Sequence, residues 1–302
     1  MSGLVEALGR ALASRSRSAP GAAEVGEASS DLAAGALDRA AEIAVAIDSL
    51  AGDLLGLAPL LADPRVGGLV EARLGDVLTD LRRLARDVET IIEPWVHAQC
   101  APLAARLASD DLRINLTGSR PIPGWITVGG DAADINVNLQ WSLPFADASV
   151  RFVFFAMGIE HFRSSEVPAI VREIARVLAP GGVVRIVTLD AERYLRACCE
   201  DDRPFLDAQA EHWPWTASLA TPLEHLLAWT GASREAGHFF EHKWAYDFST
   251  LSHLLESAGL SGVVRSAFMA SEHPELRVDD NSADAGASFE GRSYALFVEA
   301  HA

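Results

Sequence analysis

The residues best suited to chemistry begin with an acidic and an imidazole side chain placed side by side. Glu160 and His161 follow the apolar run V-R-F-V-F-F, residues 150–155, which is typical of a buried strand. An imidazole gains or loses a proton near neutral pH, so His161 is a candidate general base. The pair can also be structural and hydrogen-bond the backbone of a loop, and the pattern leaves both readings open.

A second polar group is the run G-H-F-F-E-H-K-W at residues 237–244. His238 and His242 are four residues apart, which would place both imidazoles on one face of a helix near Glu241. The run lacks the H-E-x-x-H pattern of zinc peptidases, and its Phe-Phe interior also suits a strand or a loop. We therefore expect no metal site here, but a substrate-side loop with His242 or Tyr246 facing the pocket.

Aromatic and imidazole side chains are concentrated just before that run. They are His212, Trp213, Trp215, His225 and Trp229. Trp213 and Trp215 can stack on a flat or sugar-like substrate, or they can form a small aromatic core beneath a long loop. The sequence favours neither reading.

The elements that must position these groups begin at Leu112, where β-branched and aromatic runs start to alternate with helical periodicity. This alternation predicts a parallel sheet with helices on both faces. The predicted strands are L-R-I-N-L, W-I-T-V, V-R-F-V-F-F and V-V-R-I-V, and the predicted helices cover residues 167–178, a stretch from Ala191, and residues 251–258. The run A-P-G-G at residues 179–182 predicts a helix stop and a tight turn. Strands at 262–268 and 294–300 have no helical pattern between them and should pair antiparallel.

Residues 1–110 have a different character. They are rich in Ala and Leu, carry apolar stripes at helical spacing, and offer few catalytic groups. Such helices would cap the following domain, form a homodimer or bind a protein partner. Residues 111–302 are expected to form one α/β domain with an insertion or lid around residues 201–247.

Composition excludes several classes of partner. The chain has 25 basic and 42 acidic residues, a formal net charge of −17, so it repels nucleic-acid backbones. No signal-peptide pattern and no apolar run of membrane-spanning length is present. Three cysteines without a C-x-x-C pair favour reduced thiols. We expect a cytoplasmic protein that binds neither nucleic acid nor membrane.

Short motifs in a fixed order run through the α/β region. They are P-G-W at 123–125, S-L-P-F-A-D-A-S-V at 142–150, I-E-H-F at 159–162, R-V-L-A-P-G-G at 176–182, D-A-E-R-Y-L-R at 190–196 and H-K-W-A-Y-D-F at 242–248. In this order they resemble class I SAM-dependent methyltransferases. The resemblance implies a Rossmann-like sheet, mostly parallel with an antiparallel last strand, and S-adenosyl-L-methionine (SAM) as cofactor. It also implies a small-molecule acceptor such as a sugar or a secondary metabolite.

The resemblance assigns a cofactor loop that departs from the family pattern N-L-G-x-G. The matching residues are Asn115, Leu116, Thr117, Gly118 and Ser119. Either Thr117 and Ser119 replace both glycines, or one residue is deleted and Gly118 keeps the place of the second glycine. Glycines at these positions let backbone amides approach the cofactor. This loop has fewer glycines than the family pattern, so a close approach is less readily allowed.

Three further positions implied by the resemblance also depart from it. The second strand runs into Gly129 in place of an acidic residue, and Asp131 follows two positions late. The adenine-facing position carries Asn138, whose amide still accepts a hydrogen bond. The polar end of the next strand is replaced by an apolar stretch that includes Met157.

Two functions follow from these observations. In the first, the protein is a methyltransferase with an atypical cofactor loop. Glu160, His161 or His242 then orients or deprotonates the acceptor, and the substrate side carries His238, Tyr246, Trp213 and Trp215. In the second, the fold has lost SAM and serves as a repurposed enzyme or a non-catalytic partner subunit. The altered loop favours the second function, and the overall resemblance favours the first, which we rank ahead.

Overall fold

A computed structural model of the chain describes residues 96–116, 120–129, 133–140, 142–229 and 242–302. The helices expected in residues 1–95, and their role in assembly, lie outside these ranges. Ala98–Ala302 forms one compact unit. The domain boundary expected near residue 110 stays a prediction.

The centre of this unit is a six-stranded mixed sheet. Its strands are β1 (Arg113–Leu116), β2 (Ile126–Val128), β3 (Val150–Ala156), β4 (Leu178–Leu189), β5 (Ser261–Arg265) and β8 (Ala295–His301), and a separate hairpin is formed by β6 (Ser288–Phe289) and β7 (Arg292–Ser293). The order across the sheet is β2-β1-β3-β4-β8-β5. Pairing is parallel from β2 to β4, and β8 runs antiparallel to both β4 and β5. The expected Rossmann-like sheet with an antiparallel last strand is confirmed.

Within the described ranges, six helices flank the sheet or connect its strands, and three of them begin at an aspartate cap. They are α1 (Ala104–Leu107), α2 (Val167–Val177), α3 (Ala191–Glu200), α4 (Arg203–Asp207), α5 (Pro222–Trp229) and α6 (Phe248–Ser257). Asp190, Asp202 and Asp247 each accept a hydrogen bond from a backbone N–H of the first turn of α3, α4 and α6. Each cap satisfies a donor that the helix itself leaves unpaired.

The state of the cysteines and the length of the helices bear on two of the expectations from the sequence. All three cysteines of the chain are free thiols. Across the described ranges, no helix combines the length and the apolar character that a bilayer crossing requires.

The start of β4 differs from the expected turn. Leu178 already pairs with Val150, so the strand begins before the P-G-G run, and the register shifts before the next pair, Phe152 with Val183. A β-carbon on Gly182 would lie 2.8 Å from the carbonyl oxygen of Ala179. The glycine therefore allows the backbone to make this irregularity within the strand.

One face of the sheet is covered by the segment between β5 and β8, residues 266–294. Phe152, Phe154 and Phe297 of the strands form a buried cluster with Leu276 and Ala285 of this segment. The buried side chains of α2 and α6 do not belong to this cluster, although both helices contact the strands. Among the described residues, short turns thus cover a face that the sequence analysis assigned to helices.

Arg185 of β4 fastens this covering segment to the sheet. Its guanidinium is fully buried and donates to both carboxylate oxygens of Asp279, at 2.7 Å each. It also forms an ion pair with Glu299 of β8 and donates to the Ser266 hydroxyl at 3.0 Å and the Ala267 carbonyl oxygen at 2.7 Å. A buried cation is tolerated only when its hydrogen-bonding capacity is filled in this way.

The substitution Arg185→Met should lower the free energy of unfolding by about 3–5 kcal/mol, because it leaves two buried carboxyl groups without their cation. The matched control is Arg196→Met, which removes only an exposed pair with Glu192 in α3. Guanidinium denaturation should show a large drop in midpoint for the first variant and none for the second. Equal midpoints for both variants would contradict this role of Arg185.

Candidate functional site

Parallel strands β1, β2 and β3 end at one edge of the sheet, which is where open α/β sheets bind ligands. Asn115 of β1 lies opposite Thr127 of β2, and both side chains are buried. The Asn115 amide nitrogen donates to the carbonyl oxygen of Arg120 at 3.3 Å. Asn115 Oδ1 and Thr127 Oγ1 have no hydrogen-bond partner among the described residues. Two buried oxygens near this edge can therefore accept from a ligand.

The remaining cofactor candidates are placed differently or lie outside the described ranges. Asn138 is exposed, and its Oδ1 accepts from the backbone N–H of Gln140 at 3.0 Å. Met157 has φ 45° and packs against the cluster that contains Phe154. Such a backbone conformation in a non-glycine residue often marks a functional region. The candidates outside the described ranges are Thr117, Gly118, Ser119 and Asp131.

Glu160 lies directly behind the end of β3, in the 3-10 turn Ile159–His161. The residue is 2% exposed. One carboxyl oxygen accepts from the Thr188 hydroxyl of β4 at 3.0 Å, and Oε1 has no partner within the described ranges. Burial raises the pKa of Glu160 to about 7, against the opposing effect of its own backbone N–H, the Thr188 hydroxyl and the backbone N–H of Gly158. The carboxyl group is thus available both as acid and as base near neutral pH.

The structure brings the three predicted catalytic residues together. The Glu160 carbonyl oxygen accepts from the backbone N–H of Lys243 at 2.7 Å, which places the segment after residue 241 beside β3. The His161 and His242 rings meet edge to face with centroids 4.9 Å apart. One ligand atom from each of Glu160, His161 and His242 lies within 4.8 Å of the other two. Their catalytic role stays a prediction.

Tyr246 is a further buried polar residue near Glu160. It forms an isolated bridge to Asp190 at the end of β4 and is buried. Burial raises the pKa of its hydroxyl, and the nearby charge of Glu160 raises it further. The hydroxyl has no hydrogen-bond partner in the part of the chain that the structure describes. It is therefore a second polar group available to a ligand.

Two cavities meet at Trp244, whose side chain lines both. The larger, of about 300 Å³, is a groove between α2 and α6 that reaches Tyr246. The smaller, of about 10 Å³, is lined by Glu160, Thr188 and His242. Trp244 is 44% exposed and presents a large apolar surface at the junction.

Trp213 and Trp215 occupy different environments. Trp213 is buried against Trp229 and Tyr294, with centroids 4.9 Å and 5.5 Å away, and its indole N–H donates to Asp284 at 2.9 Å. Of the two alternatives given by the sequence, Trp213 therefore corresponds to the aromatic core. Trp215 is exposed at the margin, 4.9 Å from Trp229. Neither ring lines the two cavities at Trp244, and His238 lies outside the described residues.

Sequence reasoning missed three groups that support this site: the hydroxyl of Thr188, the carbonyl of Trp229 and the indole of Trp244. His242 Nδ1 lies 3.2 Å from the Trp229 carbonyl oxygen, and the two rings are 5.3 Å apart. Of these three, only Thr188 could have been found from the sequence. It lies one residue before the end of β4, and the end of this strand is expected at the same edge of the sheet as Glu160.

The chain matches a known family model over residues 124–186, and that model is described as a methyltransferase domain. The matched stretch includes Glu160 and His161 and ends within β4. A search of curated protein sequences found no match. The resemblance to methyltransferases is confirmed by this family match over residues 124–186.

Several solved structures are similar to the chain at low identity. A SAM-dependent methyltransferase from Archaeoglobus fulgidus is 12% identical, with 69% of this chain and 94% of that chain covered and a TM-score of 0.36. A possible histamine N-methyltransferase from Thermotoga maritima is 12% identical, with 72% and 96% covered and a TM-score of 0.35. An S-adenosylmethionine-dependent methyltransferase from Mesorhizobium loti is 13% identical, with 68% and 98% covered and a TM-score of 0.33. Likenesses this distant assign neither activity nor substrate.

Removing the Tyr246 hydroxyl should stabilise the protein. Tyr246→Phe deletes a buried polar atom that has no partner in the described chain, so the free energy of unfolding should rise by about 1 kcal/mol. In the control Tyr294→Phe, the deleted hydroxyl donates to the Phe205 carbonyl oxygen at 2.8 Å, and about 1 kcal/mol should be lost. Urea unfolding measures both. A loss of stability in Tyr246→Phe equal to that of the control would show that its hydroxyl is already paired.

Proposed function

We propose that the protein is a SAM-dependent methyltransferase that acts on a small molecule. The observation that carries this proposal is the buried, unpartnered oxygen of Asn115 at the carboxyl end of β1, in a chain whose residues 124–186 match a methyltransferase domain. In the family that the chain resembles, the loop after this strand approaches the amino-acid part of SAM. The ammonium group of SAM donates hydrogen bonds, and the Asn115 oxygen can accept one of them, so the residues present here fit the cofactor.

For methyl transfer, the main task of the protein is to align the acceptor atom with the methyl group. Bound SAM supplies a methyl group on a positively charged sulfur, and transfer requires the acceptor atom in line behind that methyl. Holding the acceptor in this geometry supplies a large part of the rate. Glu160, His161 and His242 offer carboxyl and imidazole groups at the edge where the cofactor would lie, and they would bind and orient the polar group of the acceptor.

The groove supports an acceptor of modest size. Its volume of about 300 Å³ lies at the lower end of the range of small-molecule sites, which is about 300–1,000 Å³. Its walls are mainly apolar, with Arg172, Thr250 and His253 among the polar residues and the exposed ring of Trp244 at the junction with the smaller cavity. Such a lining favours a partly apolar molecule with one polar group to be methylated.

A second candidate function is a protein of this fold that no longer binds SAM. One observation favours it: the Asn138 oxygen already accepts from Gln140 at 3.0 Å, so the position expected to face adenine is engaged locally. In that case the edge would serve a different ligand or a partner subunit.

Calorimetry with SAM and with its demethylated product, S-adenosylhomocysteine, distinguishes the two functions. The wild-type protein should release heat with both ligands. Asn115→Leu should weaken binding at least tenfold, about 1.4 kcal/mol, because it removes the buried acceptor. Asn281→Leu is the control, since that amide donates to the Val278 carbonyl oxygen on the covering segment. His161→Asn should retain cofactor affinity and lose methyl transfer.

The titration has a decisive negative outcome. A ligand at about 100 times its dissociation constant stabilises a protein by about 2.7 kcal/mol, which a thermal shift detects readily. If millimolar SAM gives neither heat nor a shift, the methyltransferase proposal is overturned and the second function stands. The double variant Thr117→Gly with Gly129→Asp restores the residue types of the family. If SAM binds only to this variant, the natural chain has lost a cofactor site.

A further inference from the structure

We propose that Glu160, His161 and His242 form a binding site for one divalent cation of the zinc type. One oxygen and two imidazole nitrogens lie within 4.8 Å of one another at the end of β3. Two imidazoles and a carboxylate are a donor set that suits Zn²⁺ and related transition metals such as Co²⁺. The proposal is independent of cofactor binding, and it departs from the expectation that the H-x-x-x-H spacing offers no metal site.

The separation of the donors fits such an ion after a small adjustment. Zinc binds imidazole nitrogen and carboxylate oxygen at about 2.0–2.2 Å, so tetrahedral ligands stand about 3.4 Å apart. Donors at up to 4.8 Å would need to close by at most about 1.4 Å, which rotation of the side chains can provide. In a tetrahedral site these three ligands leave one coordination position to which the described residues contribute no further ligand, as in catalytic zinc sites.

The buried carboxyl group is the independent observation that points to a ligand. Glu160 is 2% exposed, and its Oε1 has no hydrogen-bond partner among the described residues. Buried carboxylate oxygens are normally satisfied, because leaving one without a partner costs free energy. The cavity of about 10 Å³ beside Glu160 and His242 has room for roughly one water-sized particle. A cation there would supply the missing partner.

The surrounding hydrogen bonds orient the ligands as outer partners do in metal sites. The Thr188 hydroxyl donates to the second oxygen of Glu160 at 3.0 Å. His242 Nδ1 lies 3.2 Å from the Trp229 carbonyl oxygen, which can only accept, so Nδ1 carries the proton. In the neutral ring, the lone pair is then on Nε2, the nitrogen that would bind the ion. Such partners fix the tautomer and the ring plane of a ligating histidine.

The test titrates chelator-treated protein with Zn²⁺ and with Co²⁺ in the absence of SAM. Competition against a chromophoric chelator should give one ion per chain, and bound Co²⁺ should show the visible absorption of a four- or five-coordinate site. Glu160→Gln, His161→Asn and His242→Gln should each weaken binding at least tenfold. His212→Gln is the control, because that histidine is exposed and contacts Ser288.

Two outcomes overturn the proposal: less than one ion per chain in the wild type, or a wild-type affinity that the triple variant retains. Glu160→Gln preserves the shape of the side chain and its bond from Thr188, so it tests the site even if a histidine variant fails to fold. Circular dichroism confirms the fold of each variant. A SAM titration in the presence of chelator separates failure of the metal site from failure of the proposed function.

Discussion

The buried guanidinium of Arg185 is the interaction on which the sheet and its covering depend. It stands in the middle of β4, between the parallel half of the sheet and the antiparallel strand β8. Through Asp279 and Glu299 it joins three parts of the chain that are far apart in sequence. The covering segment has few long apolar stretches of its own, so this charged contact specifies where it lies. Its hydrogen bonds offset the cost of burying the charge.

The same strand then carries the site. Thr188 follows Arg185 by three residues, so the two side chains lie on opposite faces of the sheet. The Arg185 face is held by the covering segment, while the Thr188 hydroxyl holds the carboxyl group of Glu160. Pairing of β3 with β4 keeps these two strand ends in register. The position of Glu160 is thus set by the strands that make up the core, which is the rigid support that a functional group needs.

Much of the fold could be predicted from the sequence, because strand runs, helical periods and motif order agree. The start of β4 could not, since the pairing of Leu178 with Val150 is a contact between strands that local turn chemistry does not reveal. Glu160 and His161 could be located from a strand end alone. Their proximity to His242 could be suspected only from the resemblance, and the support from Thr188 and Trp229 arises from tertiary contacts. Spacing along the chain compared His242 only with its neighbours in sequence, so the proximity of His242 to Glu160 and His161 could not enter the expectation about a metal site.

The distribution of unsatisfied polar atoms adds a last argument about the site. Eight described residues bury a side-chain polar atom without a partner among the described residues. Four of them, Arg193, Tyr194, Gln209 and His225, lie in helical elements. The other four, Asn115, Thr127, Glu160 and Tyr246, lie at or near the same edge of the sheet. Apolar side chains of similar size at these positions would avoid that cost, so stability alone does not account for them. They fall into two groups: Asn115 and Thr127 on adjacent strands, and Glu160 and Tyr246 beside the groove and the small cavity. Two separate polar groups are what a site for a cofactor and an acceptor requires.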